Sequence, residues 1–128
     1  MGADDHLASD ELIADYLAAD AVQLAARVRA GEVSASELRA AATARHHQTS
    51  STINAVVEWY RDPDPPQPAG LLAEAPLAGV PFLRKDIGAT EVGRLVEMGS
   101  RLAKGNRASI TSPYFERLLA AGVQVLGR

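Results

Sequence analysis

The sequence contains no cysteine, which excludes a disulfide framework and any thiolate metal site. Aromatic residues make up only 5%, so a core must be assembled mainly from Leu, Val, Ile and Ala. No apolar run approaches the roughly 18 residues of a membrane-spanning helix. The opening "MGADDHLASDEL" is acidic and lacks the basic-then-apolar order of a secretory leader. It also places His6 where a myristoylation motif needs Ser or Thr. Neither charge sign dominates: 13 Lys and Arg face 16 Asp and Glu, for a net charge of -3. The basic residues from Arg84 to Arg107 are scattered without interleaved aromatics, so no nucleic-acid partner is expected. A cytoplasmic protein that uses no membrane is the expectation.

What is present is enough for one ordinary domain: 128 residues, 47% of them hydrophobic, a size that buries roughly two-thirds of its extended surface. Glu11 to Ala19 reads as a short helix capped by Ser9 or Asp10. A second helix starts from Asp20, carries Leu24, Ala25 and Val28 at helical spacing, and ends at Gly31. Ser34 and Glu37 then form an S-x-x-E capping box, with Val33 and Leu38 at the positions of a hydrophobic staple. That third helix is expected to fade near His46 and His47.

"INAVVEWY" is rich in β-branched and aromatic residues and predicts a strand. The "RDPDPPQPAG" that follows holds Pro63, Pro65, Pro66 and Pro68 and predicts an exposed connector over 62–68. "GVPFLRK" predicts a second strand, and 88–109 a long loop with a helical turn near 92–98. Ser112-Pro113 opens another helix, whose apolar face is expected to be Tyr114, Leu118 and Ala121 with Phe115 and Leu119 beside them. "VQVLG" predicts a third strand. Strand, helical crossover, strand describes a parallel unit, and hence an α/β fold.

Candidate chemistry centres on "PLAGVPFLRKDIG", where a lysine ends an apolar strand. Alternation along a strand puts Pro81, Leu83 and Lys85 on one face and Val80, Phe82 and Arg84 on the other. If the Leu83 face is buried, the Lys85 amine points inward at a strand end, where open α/β sheets place ligand sites. Desolvation there favours a neutral, basic amine. The alternative is a lysine whose head simply snorkels to solvent. His46 and His47 are adjacent and point about 100° apart on a helix. They suit an interaction with a negative helix C-terminus better than a shared metal, for which only His6 could join them. No G-x-S-x-G, G-x-x-x-x-G-K-[ST] or G-x-G-x-x-G pattern occurs, and no cofactor is expected.

These stretches, taken together, resemble the amidase signature family. "PLAGVPFLRKDIG" looks like its lysine-bearing strand and "LAARVRAGEVSASELRAAATAR" like its two N-terminal helices. "INAVV" resembles its first strand, "GSRLAKG" the loop after the lysine, and "SPYFERLLAAGVQVLGR" a later helix and strand. Order and spacing agree from about Asp20 to Arg128, with residues 1–19 as a leader. The short "GSRLAKGNRA" loop resembles the branch that hydrolyses cyclic oligoamides. The resemblance implies one N-terminal portion of an amidase domain: helices plus part of a mixed central sheet. It implies a Ser–cis-Ser–Lys triad that cleaves small-molecule amides through an acyl-enzyme, with Lys85 as the catalytic lysine.

Two departures stand out. Ile87 follows Lys85-Asp86 where many members have Asn. None of Ser9, Ser34, Ser36, Ser50, Ser51, Ser100, Ser109 or Ser112 lies in the family's glycine-rich setting, so both triad serines are expected after Arg128. The alternative is a non-catalytic, amidase-derived protein that associates with a partner chain or with itself through an unfinished sheet.

Overall fold

The computed structural model describes residues 8–61 and 73–128. His6 and the proline connector at 62–68 lie outside the described residues. Three helices come first, and each begins where a side chain satisfies its orphan backbone donors. In α1 (Asp10–Ala18) Ser9 Oγ accepts from the Leu12 N–H at 3.2 Å. In α2 (Ala21–Ala30) Asp20 accepts from the Gln23 N–H at 2.8 Å while the Gln23 side chain accepts from the Asp20 N–H at 2.9 Å. Gly31 ends α2 at φ 73°, a left-handed position that glycine takes without steric cost.

The predicted capping box opens α3 (Ala35–Ile53): the Glu37 N–H donates to Ser34 Oγ at 3.1 Å and the Ser34 N–H to Glu37 Oε2 at 2.7 Å. Val33 and Leu38, the staple pair, are buried together with Leu24, Ala25 and Val80. The expected fade at His46 and His47 does not occur; α3 continues to Ile53 and stops at Asn54, φ 47°. No glycine or proline interrupts 35–53. Thr43 and Thr49 are accommodated by donating their hydroxyls to the carbonyls of Arg39 and Arg45 one turn back.

The expected strand over "INAVVEWY" is therefore corrected. Its first residue is helical, and only Trp59 forms an isolated antiparallel bridge, with Gly127. The segment still runs alongside the sheet: the Tyr60 N–H donates to Leu126 C=O and the Val57 N–H to Arg128 C=O, both at 2.9 Å. Strand β1 (Pro81–Leu83) is shorter than the predicted 79–85 and pairs in parallel with β2 (Gln124–Gly127), with an irregularity between Phe82 and Leu83. The α/β reading and the parallel unit are thus observed as a small two-stranded sheet.

The crossover helix α4 (Pro113–Ala120) is capped by Ser112, as the sequence predicted. Its buried face is Phe115, Leu118 and Leu119, packed against Val123 and Val125. Tyr114 is exposed instead. Residues 88–109 fold back on themselves, with Leu95 bridging Arg107, and the helical turn is a 3-10 turn at Arg101–Ala103 rather than at 92–98. Gln124 ties the sheet to α3: its amide donates to the carbonyls of Ala35 and Gly79 and accepts from Arg39. Among the described residues no helix is long and apolar enough to cross a membrane.

Candidate functional site

Lys85 stands two residues past the end of β1, at the C-terminal end predicted, but it is exposed. The premise of a buried Leu83 face is corrected: Leu83 is 46% exposed, and Arg84, on the opposite face, is the buried cation at 1%. The reason is geometric. Arg84 turns into a pocket of acceptors, where Nη1 donates to Ala89 C=O at 2.9 Å and Nη2 donates to Leu95 C=O at 2.7 Å and Tyr60 Oη at 3.2 Å. The Arg84 N–H also donates to Gly127 C=O at 2.9 Å, extending the β1–β2 pairing by one residue.

On the other side of Lys85, Asp86 belongs to a second arginine-centred network. Arg128, with 5% of its side chain exposed, donates Nε to Glu58 at 2.7 Å, Nη1 to Asp86 at 2.8 Å and Nη2 to Glu97 at 2.6 Å. Asp86 Oδ1 accepts in addition from the Glu97 N–H at 3.1 Å, and Glu97 Oε1 from the Gly105 N–H at 2.7 Å. Burial pushes the Asp86 carboxyl up. The hydrogen bonds from Arg128 and Glu97 and the attraction of the guanidinium outweigh it and hold Asp86 below the usual carboxylate range. Glu97 is held low chiefly by its Arg128 bond, then by the Gly105 N–H. Burial lowers Arg128, but the bonds to Glu97, Asp86 and Glu58 raise it further above its ordinary value.

Sequence reasoning singled out Lys85 and missed the residues on either side of it. Their signal was visible: a charge set inside an apolar strand pattern, as in "PFLRK" and "VQVLGR", demands a partner when buried. Of the serines named above, Ser9, Ser34, Ser100 and Ser112 have hydroxyls that each accept from a backbone N–H at a helix start.

A cleft of about 430 Å³ opens between α3 and the strands, lined by Tyr16, His46, Ile53, Trp59, Leu83 and Leu126 among others. His46 stacks on Trp59 with ring centroids 4.4 Å apart and planes within 5°. Burial, then the neighbouring His47, lowers the His46 pKa. Because α3 runs on past it, His46 is not at a helix C-terminus, and that expectation is corrected. No cluster of three metal-ligating side chains occurs among the described residues.

No family model matches the chain, and no curated protein matches it. A solved structure does. The chain is similar to a 6-aminohexanoate cyclic dimer hydrolase complexed with substrate, at 32% identity and a TM-score of 0.70 over 86% of its own length. The match covers 23% of that hydrolase, so the chain spans about a quarter of its neighbour's length.

Proposed function

We propose that this chain is the lysine-bearing portion of an amidase signature enzyme that hydrolyses carbon–nitrogen amide bonds. Lys85 is its base, in a Ser–cis-Ser–Lys triad whose serines come from polypeptide outside these 128 residues. The observation that carries the reading is the 32% identity to a hydrolase of the 6-aminohexanoate cyclic dimer, sustained over 86% of the chain. A cyclic dimer of an amino acid is closed by amide bonds, which fits the sequence likeness to the cyclic-oligoamide branch. In this reading neutral Lys85 takes the proton that the bridging serine relays from the nucleophilic serine. The nucleophile adds to the amide carbonyl, the amine departs carrying a proton, and water releases the acyl group.

The chain by itself has no serine nucleophile within this scheme. Incubated with aryl and cyclic amides it is expected to give no turnover, and a fluorophosphonate probe is expected to label no serine. Stoichiometric labelling that disappears in Lys85→Ala would refute the placement of the serines elsewhere.

The cleft favours a second reading, a non-catalytic amidase-derived protein that binds a partner chain. Ile53 and Val57, 62% and 66% exposed, extend the apolar surface at the α3 end of the sheet. Sedimentation tests this second reading: self-association of the 128-residue chain, abolished by Leu83→Glu, is its expected result, and a chain that stays monomeric contradicts it.

A further inference from the structure

We propose that Arg84 and Arg128 are positioning residues that clamp the backbone of Lys85 from both sides and so fix where its amine stands. The proposal rests on the reading of Lys85 as the base. Among the described residues no hydrogen bond or ion pair holds the exposed Lys85 side chain, yet both neighbours are anchored by buried guanidinium groups. Arg84 reaches three acceptors on two segments: Tyr60, and Ala89 and Leu95 of the folded-back loop. Arg128 reaches three carboxylates from three segments: Glu58, Asp86 and Glu97. The two networks interlock. Leu95 and Glu97 belong to the same arm of the folded-back loop, and Tyr60 and Glu58 to the same strip of chain beside β2.

The planar guanidinium suits this role because its donors leave in fixed directions, so each bond constrains an angle as well as a distance. A lysine at either position would supply charge but only a swivelling point contact. Charge also favours the arrangement. Glu58, Asp86 and Glu97 would repel one another without Arg128 between them, and the Asp86 carboxylate is additionally held by the Glu97 N–H at 3.1 Å. The Arg84 N–H bond to the C=O of Gly127, 2.9 Å, joins Arg84 to the residue before Arg128, and the Arg128 N–H in turn donates to Glu58 C=O at 2.9 Å. The residue between the anchors inherits their rigidity while keeping its side chain free for a reaction partner. Such fixed placement is what proton transfer in an assembled site requires, since a displacement of about 1 Å is enough to cost about 100-fold in rate.

The test is backbone ¹⁵N relaxation of the 128-residue chain, comparing wild type with Arg84→Met, Arg128→Met, Arg128→Lys and Asp86→Ala. The order parameter at Lys85 is expected near 0.85 in the wild type and below about 0.6 in Arg128→Met. Amides of α2 and α3 keep their values. Arg128→Lys is expected to give an intermediate value, because the charge is kept while the fixed directions of the fork are lost. A residue that merely adds stability would lower the unfolding midpoint and leave the order of Lys85 in the folded state untouched. Asp86→Ala removes the bonds to Arg128 and Glu97 while leaving Arg128 two carboxylates, and it decides the matter if Arg128→Met does not fold. Lys85 order retained within error in folded Arg84→Met and Asp86→Ala overturns the clamp. Wild-type turnover by a complete enzyme carrying Lys85→Ala would remove the base reading and leave this measurement unaffected.

Discussion

The two halves of the molecule are held by opposite means. In α1 to α3 the polar bonds that define each element span three residues, from cap to first turn, as in Ser34–Glu37 and Asp20–Gln23. Around Lys85 the bonds reach further: those of Arg84 span 5 to 24 residues, and those of Arg128 span 31 to 70, back to Glu97, Asp86 and Glu58. Local bonds set where a helix begins and can be removed one at a time. Long-range bonds to a single guanidinium fix several segments at once, and losing the centre releases all of them. A site that needs one amine held in place is better served by the second arrangement.

The comparison predicts a hierarchy of stability losses. Arg128→Met should be the most damaging, at about 3 kcal/mol, because it leaves neighbouring carboxylates without their shared cation. Denaturant titration at neutral pH reads it, and a loss no greater than that of a helix cap would erase the contrast between the halves. Acid sharpens the same point. Asp86 and Glu97 have folded pKa values below their unfolded values of about 3.9 and 4.3. Their contribution is thus complete above those unfolded values and is lost as pH falls through the lower folded ones. The wild-type midpoint should drop below about pH 4, and the drop should be shallower in Arg128→Met, which has already lost the bonds that acid breaks.

Gly127→Ala comes next, at about 2 kcal/mol. A Cβ there would collide with the Glu58 carbonyl oxygen, a backbone atom that cannot swing aside, and would push the 57–60 segment from β2. Thermal unfolding checks the size, and a midpoint equal to wild type would mean that this pairing is looser than described. Ser34→Ala is the smallest, about 1 kcal/mol, as the cap bond from the Glu37 N–H and the hydroxyl's own bond to the exposed Glu37 carboxylate are lost. Its effect should be confined to faster amide exchange in the first turn of α3. Exchange that also rises at Arg84 would show that the halves are coupled rather than separately held.

This division explains what could be read from the sequence. The helix starts at Ser9, Asp20, Ser34 and Ser112 were legible because the cap and its acceptor lie within one turn. The parallel β1–β2 unit was legible because the crossover between the strands contains a helix with its own start signal. The end of α3 was not legible: adjacent histidines and β-branched residues weaken a helix only slightly, and the contacts of His46 with Trp59 depend on tertiary placement. Lys85 at the strand end was legible, but the exposure of its side chain was not. Alternation states which residues share a face and leaves open which face is covered. Arg84 was covered because Ala89, Leu95 and Tyr60, distant in sequence or across a turn, converge on it.

The direct test of Lys85 is a chimera in which this chain replaces the matching quarter of the 6-aminohexanoate cyclic dimer hydrolase, assayed for turnover of the cyclic dimer with and without Lys85→Ala. The account predicts a chimera that turns over substrate and a loss of about 10³-fold or more when the amine is removed, with circular dichroism unchanged. Equal turnover by the folded Lys85→Ala chimera would contradict it.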